Sequence, residues 1–171
     1  MQNIKNKNIC RILGIDPGTA TVGWAILEEK KGKIASLAHG HISTSPKDSV
    51  SSRLKEVSDD LKKIIQKYNP HEAAVEELFF FKNQKTIIRI GEARGAILLT
   101  LENLQVKIIG YTPLQVKQAV TGYGRAEKKQ IQLMVKEILG LKSIPKPDDV
   151  ADAIAIGICH LNSRKIKMLG R

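Results

Sequence analysis

Four acidic side chains stand where a compact fold could gather them. Asp16 follows the apolar run Ile12-Leu13-Gly14-Ile15, Glu76 follows Ala73-Ala74-Val75, and Asp149 and Asp152 lie three apart near the start of a helical pattern. A carboxylate at the end of a buried strand is costly unless a cation compensates it. Several in one place repel, and one or more must take up a proton unless cations bind. Hard divalent ions relieve that repulsion through oxygen ligands, and Mg²⁺ keeps water and substrate phosphate in its shell. Two such ions can activate water and stabilise the leaving oxygen of a phosphodiester. The chemistry in view is metal-dependent hydrolysis of a nucleic-acid backbone. Each acid taken alone has an ordinary explanation. Asp16 in Asp-Pro-Gly suits a turn, Asp149 or Asp148 suits a helix cap, and Glu76 suits a solvated strand end.

Whether the acids meet depends on the elements that carry them. Residues 10–15 read as a buried strand that Pro17-Gly18 must end. Residues 21–27 and 34–42 read as two further strands joined through the Lys30-Lys31-Gly32-Lys33 hairpin, hence antiparallel. Leu54, Val57, Leu61, Ile64 and Ile65 fall at helical spacing, and Asn69-Pro70 ends that helix. Residues 73–76 form a short buried strand ending in acid, residues 85–103 a helix, and residues 106–109 a fifth strand. Thr112-Pro113 opens a helix that stops near Gly122, and another spans 126–139 and closes at Gly140. The last helix covers 149–163, with a basic tail over 164–171 expected to fray. The order predicts one α/β domain over residues 1–171. Its five-stranded mixed sheet has three antiparallel hairpin strands plus parallel strands, flanked by helices. Right-handed crossovers make strands one and four parallel neighbours, so Asp16 and Glu76 leave the same edge.

Composition agrees with this chemistry. The chain has 171 residues, 42% hydrophobic and 26% charged, and its 28 Lys and Arg against 17 Asp and Glu give a net charge of +11. Such a balance favours a polyanionic partner, most often nucleic acid. No apolar run reaches the roughly 20 residues of a membrane span. Cys10 and Cys159 show no metal-ligand spacing, which suits a reducing, cytoplasmic setting.

Other residues bear on substrate contact. Lys117 lies on a short helix and Lys128 at the opening of the next, where near the acids they would meet phosphates; a lysine on a helix is otherwise simply solvated. The glycine-flanked, basic loop Thr121-Gly122-Tyr123-Gly124-Arg125 could follow a nucleic-acid backbone, with Arg125 its cation, and it lacks the ending of a phosphate-binding P-loop. The chain's three phenylalanines are Phe79-Phe80-Phe81. Core packing explains at least one of them, and an exposed ring would stack on an unpaired base. Gly91 and Gly95 sit mid-helix at about 1 kcal/mol each relative to alanine. That cost points to close packing of another backbone, either the chain's own sheet or a second copy in a two-fold dimer. The four histidines form no pattern.

In register with these elements run Gly14-Ile15-Asp16-Pro17-Gly18, Val75-Glu76 with Phe79, Ala93-Arg94-Gly95, Val116-Lys117-Gln118, Ala126-Glu127-Lys128 and Asp149-Val150-Ala151-Asp152-Ala153. Over about residues 10–163 the chain resembles the RuvC family of Holliday-junction resolvases. The resemblance implies a ribonuclease-H-like fold and a homodimeric, Mg²⁺- or Mn²⁺-dependent endonuclease that nicks two strands of a four-way DNA junction in recombination and repair. It places the catalytic, metal-binding acids on Asp16, Glu76, Asp149 and Asp152. It favours active-site roles for Lys117 and Lys128 and puts base stacking on Phe79. RuvA and RuvB are the implied partners. Two other readings compete: a related ribonuclease-H-like nuclease of the YqgF group, and a non-catalytic junction-binding module. An ATPase with an Asp-x-Gly-Thr phosphate loop needs two such domains, more than this chain holds.

Overall fold

The computed structural model describes residues 9–18, 20–78 and 84–169. The elements follow the order β1 (Ile9–Asp16), β2 (Thr21–Lys30), β3 (Lys33–Ser43), α1 (Val50–Tyr68), β4 (Glu72–Glu76), α2 (Gln84–Asn103), β5 (Lys107–Tyr111), α3 (Pro113–Thr121), α4 (Lys128–Leu139) and α5 (Asp148–Leu169). The strands form one sheet in the order β3-β2-β1-β4-β5. β1, β2 and β3 pair antiparallel, and β4 and β5 are added parallel to β1. This is the mixed sheet expected from the residue pattern.

Local chemistry accounts for the boundaries. Lys31 and Gly32 both take left-handed φ, 52° and 80°, so a two-residue turn joins β2 to β3 with the twist the strands require. Thr112 caps α3 through a reciprocal box with Gln115, and Gly122 closes it in the left-handed region. α4 starts at Lys128, two residues later than the pattern suggested, because Glu127 takes the capping position with Gln130. α5 differs most from expectation. It runs on to Leu169 instead of fraying from Arg164. Ser163 Oγ donates to the Cys159 carbonyl at 2.9 Å, and Arg164 pairs with Glu72 across the sheet, which keeps this turn wound.

Each strand divides its side chains between two cores. Leu13, Ile15, Val22, Ile26, Ala73 and Val75 face α1 and α2. Ile12, Ala25, Leu27 and Ala74 face α3, α4 and α5. Within α5 the run Ile154, Ile156, Ile158 and Leu161 is fully buried, each side chain contributing about 1.5–3 kcal/mol.

The seating of α5 depends on glycine. A methyl group at Gly14 would stand 2.2 Å from the Ala153 carbonyl oxygen and 2.9 Å from the Gly157 nitrogen. One at Gly23 would stand 1.9 Å from the Asp149 carbonyl oxygen, and one at Gly157 would stand 2.8 Å from Leu27 Cδ1. Helix backbone therefore rests almost directly on strand backbone. Gly91 and Gly95 behave differently. Among the described residues nothing lies within 4 Å of a methyl at Gly95, and only Leu78 Cδ1, at 3.6 Å, approaches one at Gly91. The chain's own sheet is not what they accommodate. Gly14→Ala should lower unfolding free energy by about 1–3 kcal/mol in urea titrations, as an overpacked core position does. Undiminished stability would contradict the close seating of α5.

Candidate active site

The alternation of strand faces decides where the acids point. Ile12, Gly14 and Asp16 share one face of β1, and Glu72, Ala74 and Glu76 share one face of β4. Ile12 and Ala74 belong to the core beneath α5, so Asp16 and Glu76 emerge on the side that α5 covers. Ile15 is in register with Val75, which puts the two acids next in line at one sheet edge. On the other side of β1, Asp16 is opposite Gly23. The missing side chain at Gly23 is what lets the first turn of α5 come down there with Asp149. Asp152 follows one turn later. At the tip of β4, Arg94 Nε donates to the Glu76 carbonyl at 3.0 Å and fixes the strand end.

The acids feel one another. Burial pushes the Asp16 carboxyl from its ordinary value up to about 8, and the charges of Glu76, Asp152 and Asp149 add to the rise against the pull of Lys128. Burial, then Asp152, pushes Glu76 up to about 7, opposed by Lys128 and Lys117. Asp152 is raised as well, chiefly by burial. Lys128 is the cation that answers them, with Nζ 3.1 Å from Asp152 and 3.5 Å from Asp148. Its own proton affinity rises: burial works against the charge, and the hydrogen bond and charge of Asp152 outweigh that. Among the described residues no three acidic, His or Cys side chains close on a single point as a ready metal cage. The carboxylates share an edge and a field, with Asp152 drawn toward Lys128.

A cleft of about 220 Å³ opens beside them, lined by Glu76, Lys117, Lys128 and Asp152 over an apolar floor that includes Val116 and Ile156. Both lysines singled out by the sequence thus meet the acids. Arg125 does not: it is exposed in the connection between α3 and α4, outside the cleft lining. Phe79, with Phe80 and Phe81, lies outside the described residues. Sequence reasoning gave no individual role to Arg94 or to the glycines at 14, 23 and 157. The signal for Arg94 was its place in the Ala93-Arg94-Gly95 motif. The glycines had none, since what they admit comes from a distant helix. The donor set fits a hard divalent cation. It offers oxygen ligands only, and its raised proton affinities measure a repulsion that such an ion would relieve.

The protonation of these acids carries a sign. A carboxyl whose folded-state affinity for protons is raised stabilises the fold below its unfolded value and loses that contribution as pH rises through the folded one. For Asp16 and Glu76 the loss runs from the ordinary 3.8 and 4.5 up to about 8 and 7. In EDTA, Asp16→Asn should therefore melt above the wild type. The gap should widen from pH 5 to pH 8.5 and reach on the order of 5 °C in calorimetry. A gap that does not change with pH would show that Asp16 is not held protonated.

The chain is similar to known proteins over nearly its whole length. The family model described as crossover junction endodeoxyribonuclease RuvC matches residues 12–160. A crossover junction endodeoxyribonuclease RuvC of Halothermothrix orenii is 56% identical over 155 residues, covering 91% of this chain and 94% of that protein. The Thermus thermophilus RuvC structure superposes with a TM-score of 0.85 at 34% identity, over 92% of this chain and 96% of the other. T. thermophilus RuvC in complex with a Holliday junction substrate superposes at 0.87 with 33% identity, over 94% and 96%. The fold is ribonuclease-H-like, and the chain belongs to the RuvC family of crossover junction endodeoxyribonucleases.

Proposed function

We propose that this chain is an endonuclease that resolves Holliday junctions by paired, Mg²⁺-dependent nicks. The observation that carries the reading is a cleft in which acids from β4 and α5 face lysines from α3 and α4, on a chain of net charge +11. The relatives named above support the substrate, and they favour neither a YqgF-type nuclease nor a non-catalytic module. Asp16, Glu76, Asp149 and Asp152 would hold the ions, two per site, with Mn²⁺ able to substitute. When bound, the metal supplies Lewis-acid polarisation of the phosphate and a water of lowered pKa. The chain's own groups do the rest. Lys117 and Lys128 hold the scissile strand by its phosphates and face the charge that develops there. Arg94 keeps the tip of β4, and with it Glu76, in place. Arg125 and Phe79 remain proposed DNA contacts, for the backbone and for an unpaired base. RuvA and RuvB are the proposed partners, and the cytoplasm the proposed setting. Among the described residues no helix is long and apolar enough to cross a membrane.

Asp16→Asn should cut a synthetic four-way junction at least about 10³-fold more slowly in Mg²⁺, as loss of a group acting on the transition state does. Junction binding should stay within a few-fold, because phosphate contacts dominate affinity. Cleavage near the wild-type rate would remove Asp16 from the site. Equal cutting of a linear duplex by the wild type would favour a general nuclease.

The same reading needs two active sites related by a two-fold, and α2 supports a homodimer. Ile88 and Leu99 are 62% and 64% exposed. With Gly91 and Gly95 they line one helical face, and there another backbone can come close. Leu99→Glu should shift the protein from dimer to monomer in sedimentation velocity and uncouple the two nicks. An unchanged dimer would place the interface elsewhere.

A further inference from the structure

At the far end of β4 from the acids lies a second polar group. His160 is 2% exposed. Its Nε2 stands 2.6 Å from Glu72 Oε2, and its Nδ1 stands 2.8 Å from the Tyr111 hydroxyl. Glu72 also receives Arg164, and Lys107 Nζ at 3.3 Å. Burial alone would raise the Glu72 carboxyl, but the hydrogen bonds of Arg164 and His160 outweigh it and hold it down at about 2. An ionised carboxylate only accepts, so Nε2 of His160 carries the proton it donates. Nδ1 of the neutral ring then accepts from Tyr111. Each member has one role, and none can be exchanged without loss.

The positions of this group match those of the acids. Glu72, Ala74 and Glu76 lie on one face of β4, and Asp152, Ile156 and His160 form one stripe of α5 running the opposite way. Four residues of parallel strand cover about 13 Å, and eight residues of helix cover about 12 Å. Glu72 with His160 and Glu76 with Asp152 are thus the two end rungs of one ladder. Its middle rung is Ala74 and Ile156, both within one buried core. Apolar contact in the middle resists separation of helix and strand and does little against sliding along the axis. A directional hydrogen bond at one end resists sliding. Tyr111, in register with Glu76 on β5, ties the neighbouring strand to the same ring.

We propose that Glu72 and His160 are positioning residues that lock the register of α5 on β4, and through it the separation of Glu76 and Asp152. The lock rests on the assignment of those acids as metal ligands. Mn²⁺ binding, followed by electron paramagnetic resonance, tests it without DNA. His160→Ala and Glu72→Ala should each weaken apparent Mn²⁺ affinity on the order of ten-fold, as loss of a supporting partner does. The double variant should lose clearly less than the two single losses combined, because both remove the Glu72–His160 contact. His160→Gln, which keeps an N–H donor toward Glu72, should restore most of the affinity. Thr100→Ala breaks a half-buried 2.7 Å hydrogen bond to Ser58 between α1 and α2. It should lower the melting temperature and leave Mn²⁺ affinity unchanged, which separates register from general stability. Wild-type Mn²⁺ affinity in Glu72→Ala or in a folded His160→Ala would overturn the lock, as would additive losses in the double variant. Asp16→Asn and Glu76→Gln run alongside. If they abolish Mn²⁺ binding while the lock variants do not, the lock alone fails. If they too leave it intact, the site assignment fails and the lock falls with it.

Discussion

How closely a helix can lie on a sheet is set by the side chains between them, and where α5 crosses Gly14 of β1 and Gly23 of β2 the strands present none. Gly14 and Gly23 bring strand backbone against the backbone of α5, and Gly157 makes room on the helix for the Leu27 side chain. Interiors are packed as densely as organic crystals, so this contact does not slip or fill gradually. The placement of the acids carried by α5 follows from it. Asp149 reaches the edge of the sheet because the first turn of α5 comes down on Gly23. Asp152 follows one turn later, facing the tip of β4. The two buried cores on either side of the sheet stabilise the fold, while the glycine contact sets where its chemistry can occur.

The electrostatics run against the stability of the empty protein. A chain with an excess of cations gathers its acids at one edge, raises their proton affinities by burial, and sets Lys128 against Asp152 and Asp148. In the proposed mechanism that lysine holds a phosphate of the scissile strand. The repulsion among acids is then a store of binding free energy for cations, kept at some cost to the fold. Stability elsewhere offsets it: the long buried run of α5, the double caps of α3, and the polar group around His160.

Much of this was legible in the residues, for identifiable reasons. Period-two and period-3.6 patterns gave the strands and helices because each element buries one face. The Lys31-Gly32 hairpin and right-handed crossovers then left little choice of sheet order, and the edge shared by Asp16 and Glu76 followed. Partnerships across the sequence were not legible. The turn of α5 beyond Ser163 persists because Arg164 meets Glu72, which lies far away along the chain. His160 has no neighbours in sequence to announce its two hydrogen bonds. A glycine within a strand reads as a weak strand former until the helix that needs the space is known. Lys128 was picked out by its motif, and its pairing with Asp152 depends on how α4 meets α5.

The division of each strand between two cores has a consequence for descent. Inserting or deleting one residue in β1 or β4 would turn Asp16 or Glu76 to the α1 and α2 side while exchanging one set of aliphatic side chains for another. A core of mixed aliphatic residues can absorb that exchange, and the acids cannot. The β2–β3 hairpin, by contrast, can lengthen by pairs at Lys31-Gly32 without disturbing either. Related chains should therefore vary in length at the hairpin and hold β1 and β4 to a fixed count, with composition drifting freely inside those counts.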